Sequence, residues 1–268
     1  MISNSSAIEL ALFAGSITFL FTALGSGLVF LFISEIRPKL LASMYGFAAG
    51  VMTAASFWSL LAPSIELSES TNIPNWVIPV LGFLLGAFFI WLLDKILPHM
   101  HIVNGNEEQE GVKVKLSKSI LLFLAITLHN IPEGLAIGVT FGAFSIGDGK
   151  VTFNAALALA LGIGLQNFPE GAAISLPLKT TGVSKLKSFL LGTISGIVEP
   201  IAAVIGAVAV TKLTIILPIS LAFSAGAMMY VVVEELVPEA VLEEHNHFGV
   251  FGFILGFAIM MVLDTALG

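Results

Sequence analysis

Apolar runs of roughly 20 residues, the length that crosses a bilayer as a helix, recur along this chain with short polar interruptions. They predict eight membrane spans, near 7–33, 39–62, 75–97, 118–142, 152–177, 186–210, 213–238 and 247–267. The runs are continuous and rich in Leu, Ala and Gly. A transmembrane β-barrel needs alternating segments of roughly 10 residues and a polar lumen face, which these runs lack. The expected fold is an all-α integral membrane protein with one transmembrane domain over residues 1–268. Turn residues mark the connections at Arg37-Pro38, Asn72-Ile73-Pro74-Asn75, Gly147-Asp148-Gly149 and Thr181-Gly182. The longest connection, 98–117, holds His99, His101, Glu107, Glu108 and Glu110, with Lys113, Lys115 and Lys118 at its end.

Charge sets the expected orientation. Arg37, Lys39, Lys95, Lys113, Lys115, Lys118, Lys179, Lys185 and Lys187 flank the loops after spans 1, 3, 5 and 7. Only Lys150 and Lys212 lie on the other side. Basic residues concentrate in the cytoplasm, so this distribution places both termini outside. Composition agrees with the membrane reading: 57% of the 268 residues are hydrophobic and 11% charged, against about a quarter charged in soluble domains. The mean hydropathy is +1.01. The segment Met1–Ser6 has no Lys or Arg and is followed by Glu9, so it does not read as a cleaved signal peptide. Cysteine is absent, which excludes disulfides, thiolate metal sites and thiol catalysis. Small-residue pairs at Gly46/Gly50, Gly82/Gly86, Gly192/Gly196 and Gly252/Gly256 permit close helix approach. They suit internal packing or a homodimer face, and internal packing is the expected use.

The chemistry lies in the apolar runs. His129-Asn130-Ile131-Pro132-Glu133-Gly134 in span 4 recurs as Gln166-Asn167-Phe168-Pro169-Glu170-Gly171 in span 5. A carboxylate at that depth costs about 2.5–3.5 kcal/mol on insertion scales, so such groups mark function. On a helix His129, Asn130 and Glu133 fall within an arc of about 100°, and Gln166, Asn167 and Glu170 repeat that face. Successive spans run antiparallel, and both motifs begin about 16 Å from the cytoplasmic end. The two faces are expected to meet near mid-membrane about a pseudo-two-fold axis, an inverted arrangement common in transporters. Pro132 and Pro169 are expected to free the carbonyls of Leu128 and Leu165 and to bend their helices. Pro200 and Pro238 place similar breaks in spans 6 and 7. Glu199 adds a carboxylate at about 20 Å depth. Converging carboxylates repel one another unless a cation joins them. Imidazole with carboxylates suits Zn²⁺, Fe²⁺, Mn²⁺ or Co²⁺.

At these residues the chain resembles the ZIP (Zrt/Irt-like) family of divalent-metal transporters, in particular its short prokaryotic GufA-like branch. The resemblance covers essentially the whole chain and rests on the paired HNxPEG and QNxPEG motifs. It implies a primary metal site of His129, Glu133, Gln166 and Glu170. It also implies a second position completed by Asn130, Asn167 and Glu199 and bridged by Glu133 and Glu170. Some family members carry aspartate at the position of Asn167. The family moves metal toward the cytoplasm. Zinc would then be substrate rather than cofactor, with iron, manganese, cobalt and cadmium as further candidates. The expected setting is the prokaryotic inner membrane, with the lipid bilayer and divalent ions as partners and no nucleic acid.

Glu235 and Glu239 close span 7 at i, i+4 spacing, and His245 and His247 follow; together they suggest an exit path. Glu66 and Glu69, in a loop without Lys or Arg, would attract cations outside. Other classes remain in view. A proton- or sodium-coupled antiporter accommodates the carboxylates, although paired amides beside a histidine favour a divalent ion. An intramembrane metalloenzyme lacks an HExxH, since Glu243-Glu244-His245-Asn246-His247 has the wrong order. A purely structural subunit is disfavoured by the cost of the buried groups.

Overall fold

The computed structural model describes residues 6–31, 37–69, 73–96, 99–103, 106–110, 118–147, 151–180, 182–241 and 247–267. Within them lie eight long helical rods: α1 (Ala7–Leu31), α2 (Pro38–Ser68), α3 (Val77–Ile96), α4 (Lys118–Ile146), α5 (Phe153–Thr180), α6 (Lys185–Lys212), α7 (Leu217–Val241) and α8 (His247–Leu267). Among the described residues six of them, α1, α2, α3, α6, α7 and α8, are long and apolar enough to cross a membrane. The polar motifs lie in α4 and α5, which have 29 and 28 residues. At 1.5 Å per residue each is about 40 Å long. The chain is thus a multi-pass, predominantly helical membrane protein. One addition lies in the loop after α3. There β1 (His99–Val103) and β2 (Asn106–Glu110) form an antiparallel hairpin pairing His99 with Glu110 and His101 with Glu108.

Four helix pairs pack most extensively: α1 with α5, α4 with α6, α2 with α8, and α3 with α7. Two four-helix groups result, α1/α4/α5/α6 and α2/α3/α7/α8. They meet where α5 crosses α2 and α8 and where α4 crosses α7. Exchanging α1 with α6, α2 with α7, α3 with α8 and α4 with α5 carries each close pairing onto another. The small-residue pairs make these contacts. A Cβ at Gly46 or Gly50 would collide with the backbone of α8, and one at Gly86 with the backbone of α7. Gly252 and Gly256 lie equally close to Ser43 and Phe47, and Gly192 and Gly196 face Ser26 and Thr22. All four pairs therefore serve packing within the chain. Large apolar side chains such as Leu84, Phe88, Phe251 and Ile254 point outward, as helices facing lipid require.

The prolines behave differently from one another. Pro132 and Pro169 lie inside uninterrupted α-helix, so the expected opening at these positions is not seen in the helix assignment. A single proline removes one hydrogen bond, and flanking turns can carry the helix through it. The breaks fall elsewhere. In α6 the helix turns at Gly196–Ile197 and restarts at Val198. Pro200 thus sits in a first turn, where N–H groups have no helical partner in any case. In α7 a π-helical turn, Val232–Leu236, precedes Pro238, and in α2 another, Ser56–Leu61, precedes Pro63. These turns occupy matching places in the two helices related by the exchange, and π-turns are frequent at functional sites. α4 is followed by Gly147 and α5 by Gly182, both with positive φ, the usual helix-ending conformation of glycine.

Candidate metal-translocation site

The structure brings the two motifs together. Asn130, Glu133, Gln166, Asn167 and Glu199 have 0% exposure, with His129 at 7% and Glu170 at 9%. The final glycine of each motif explains the approach. A Cβ at Gly134 would strike the Glu199 carbonyl on α6, and one at Gly171 the Thr22 carbonyl on α1. The backbone of α6 thus lies directly against the first motif, and that of α1 against the second. Glu133 lies near enough to Glu170 and Glu199 to feel their charge.

The hydrogen bonds divide these groups into two sets. Gln166 Nε2 donates to Asn167 Oδ1 at 2.7 Å, and Asn167 Nδ2 donates to Glu199 Oε2 at 2.7 Å. Thr22 Oγ1 donates to Glu199 Oε1 at 3.2 Å. By contrast, both Glu133 oxygens, Glu170 Oε1, Gln166 Oε1 and both polar atoms of the Asn130 amide are buried without a hydrogen-bond partner among the described residues. Buried polar atoms are nearly always paired, so such a cluster calls for an explanation. Several unpartnered oxygens in one bilayer-depth region could serve a cation as ligands, and a hard or borderline divalent ion would match amide and carboxylate oxygens. Among the described residues, no three His, Asp or Glu side chains alone form a group able to hold a metal ion. Amide oxygens would have to join the carboxylates.

The residues expected to form an exit path fare unevenly. Glu235 lies in the π-helical turn of α7 and contacts His129 Nε2 directly. It therefore belongs at the motif rather than only near the helix end. Glu239 lies one turn further on, within reach of the charge of Glu235. His247 is exposed at the start of α8, and His245 lies outside the described residues. Glu66 sits on helix α2 instead of in a loop. It lines a cleft of about 250 Å³ with Ser59, Thr152 and Asp264. Ser59 donates to Asp264 Oδ1 at 2.6 Å, while Asp264 Oδ2 is buried without a partner among the described residues.

Two groups escaped the sequence reading. Asp264, four residues from the end of the sequence, did not stand out as a single acid in span 8. On α1, Thr18, Thr22 and Ser26 are fully or almost fully buried. Their spacing of four residues was the available signal, since it puts three hydroxyls on one face of an otherwise apolar helix. Ser26 Oγ donates to the Gly171 carbonyl at 3.2 Å, so this stripe supports the second motif directly.

The chain is similar along its length to known proteins. A family model described as ZIP Zinc transporter matches residues 8–119 and 103–264. Zinc transporter ZIP11 of Xenopus tropicalis is 39% identical over 341 aligned positions, covering 100% of this chain and 100% of its own. Zinc transporter GufA of Myxococcus xanthus is 36% identical, covering 92% of this chain and 95% of its own. Zinc transporter ZIPB of Bordetella bronchiseptica is 36% identical, covering 96% and 81%.

Proposed function

This chain belongs to the ZIP zinc transporter family, and from that premise we infer that it carries divalent cations, zinc foremost, across the membrane into the cytoplasm. The family is one of transporters, not enzymes. The observation that carries the reading is the set of unpartnered oxygens on Glu133, Glu170, Gln166 and Asn130, buried where α4 and α5 meet. His129, Glu133, Gln166 and Glu170 make the primary position. Asn130, Asn167 and Glu199 stand at an adjacent one bridged by Glu133 and Glu170. Glu235, reached through His129, and then Glu239 lead away from it. The cleft of Ser59, Glu66 and Asp264 offers acidic oxygens at the opposite end. All eight rods are read as crossings related by an inverted repeat, with both termini outside, in a prokaryotic inner membrane. A homodimer is compatible with this arrangement. The metal range extends to iron, manganese, cobalt and cadmium.

The deciding experiment is uptake by purified protein in liposomes, across a panel of divalent metals. Zinc accumulation above protein-free liposomes is expected. No accumulation of any divalent metal by correctly inserted protein would overturn the reading.

Orientation has its own test in this cysteine-free chain. Cysteines at Ser5 and Gly268 should react with an impermeant thiol reagent on intact cells, and one at Gly111 only after permeabilisation. The reverse pattern would invert the topology.

Metal preference should depend on His129, the one imidazole among the proposed ligands. Imidazole favours Zn²⁺ over oxygen-preferring ions. His129→Gln makes the two motifs nearly alike and removes the contact with Glu235. It should reduce Zn²⁺ uptake more than Mn²⁺ uptake. An equal loss for both would remove His129 from the ligand set.

A further inference from the structure

We propose that Tyr45 on α2 belongs to the translocation route, its phenol oxygen receiving the cation between the motif centre and the carboxylates of α7. The proposal rests on the transport reading above and concerns only the step that follows the centre.

Backbone packing brings Tyr45 to this place. A Cβ at Gly46 would strike the Gly249 carbonyl on α8, and one at Gly249 would strike the Ala240 carbonyl on α7. Three backbones thus meet around Gly249, and the neighbours of these contact points in the chain are Tyr45 on α2 and Glu239 on α7. α2 also packs against the π-helical turn of α7, which carries Glu235, and against α5. The level of Tyr45 beside α5 follows from another contact, since a Cβ at Gly162 would lie 3.6 Å from Val51. Tyr45 comes six residues before Val51, and Glu170 eight residues after Gly162. On antiparallel helices these are displacements of about 9 and 12 Å in the same direction, so the two side chains share a level. Glu239, Glu170 and Glu235 are all close enough for their charges to act on the Tyr45 hydroxyl.

A phenol suits the step between these groups. A cation that leaves Glu170 for Glu235 or Glu239 moves between anions held on different helices. Those anions repel one another whenever no cation lies among them. The Tyr45 hydroxyl has one hydrogen to donate to a carboxylate and keeps lone pairs for the ion. A neutral oxygen matches a hard or borderline divalent ion, yet it adds no charge that would retain it. Tyr45 is partly buried against the core, so its ring is fixed by packing while the hydroxyl faces the acids.

Tyr45→Phe keeps the ring and removes only that hydroxyl. In liposomes it should lower the maximal rate of zinc uptake roughly 10-fold, the lower end of the loss seen when a group supporting a metal ligand is removed. KM should be unchanged or lower, and Glu133-dependent equilibrium binding of Zn²⁺ should match wild type, because the centre itself is untouched. A side chain that merely fills space would show no loss, since phenylalanine fills the same space. Passage of the ion is read separately with Tyr45→Cys, whose thiol is unique in this cysteine-free chain. In inside-out vesicles an impermeant thiol reagent should reach it, Zn²⁺ should slow the reaction, and adding Glu239→Ala should weaken that protection. A wild-type maximal rate for Tyr45→Phe would overturn the proposal, as would a Tyr45→Cys thiol that Zn²⁺ does not protect. A wild type that accumulates no divalent metal would instead overturn the transport reading itself.

Discussion

Glu133→Ala and Glu170→Ala should each reduce zinc uptake to the background of protein-free liposomes while the protein still reaches the membrane. The two carboxylates sit at corresponding places in the paired motifs, and both present buried oxygens without a protein partner. Residues that merely orient a metal ligand cost roughly 10–100-fold in affinity or activity when replaced, so loss of a ligand should exceed that range. Glu133→Gln separates charge from packing, because it preserves volume and keeps one acceptor oxygen. If charge is what the cation requires, Glu133→Gln should fail nearly as completely as Glu133→Ala. Its folding should be no worse than wild type, since an unpaired buried carboxylate is itself costly. Uptake within a few-fold of wild type for both alanine variants would exclude these carboxylates as ligands.

Much of this arrangement was legible in the sequence, for definite physical reasons. In a bilayer every backbone polar group must be satisfied internally, so long apolar runs translate directly into helices. The expected spans match the observed rods to within a few residues at most ends. The largest departure is α2, expected to stop near 62 and observed to Ser68. There the helix passes through the π-helical turn at Ser56–Leu61 and continues beyond Pro63. The motif residues were legible because polar groups at membrane depth are rare and these are duplicated. Their sorting into donors and acceptors was not, because it depends on α1, more than a hundred residues away in sequence. The Thr22 hydroxyl also lies 3.4 Å from the Thr18 carbonyl of its own helix, an ordinary local contact, so nothing local to span 1 announces a distant partner. The contact between His129 and Glu235 was hidden in a similar way. The π-helical turn changes the angular step along α7, and an i, i+4 reading of Glu235 with Glu239 could not place Glu235 against α4. The hairpin had a local signal that went unused, since Asn104-Gly105 between β1 and β2 is a favoured two-residue turn sequence.

The same pinning of α1 against α5 leads to a second large expected effect. Gly25→Ala and Gly171→Ala should both sharply lower the thermal stability of the purified protein and abolish uptake. A Cβ at Gly25 would collide with the Phe168 carbonyl, and one at Gly171 with the Thr22 carbonyl. These are backbone atoms in packed helices and cannot rotate aside. Overpacking a core with side-chain atoms already costs about 1–3 kcal/mol, and moving a helix adds the bonds it carries. For Gly171→Ala those include the Ser26 bond to the Gly171 carbonyl and the Thr22 bond to Glu199. Gly27 provides the control on the same helix, because a Cβ there would meet nothing within 4 Å. Gly27→Ala should leave uptake intact and match or raise stability, since alanine is favoured over glycine in a helix by about 0.8–1.0 kcal/mol. A wild-type melting temperature for Gly25→Ala and Gly171→Ala would show that α1 and α5 do not approach to backbone contact, and the route by which α1 reaches Glu199 would have to be redrawn.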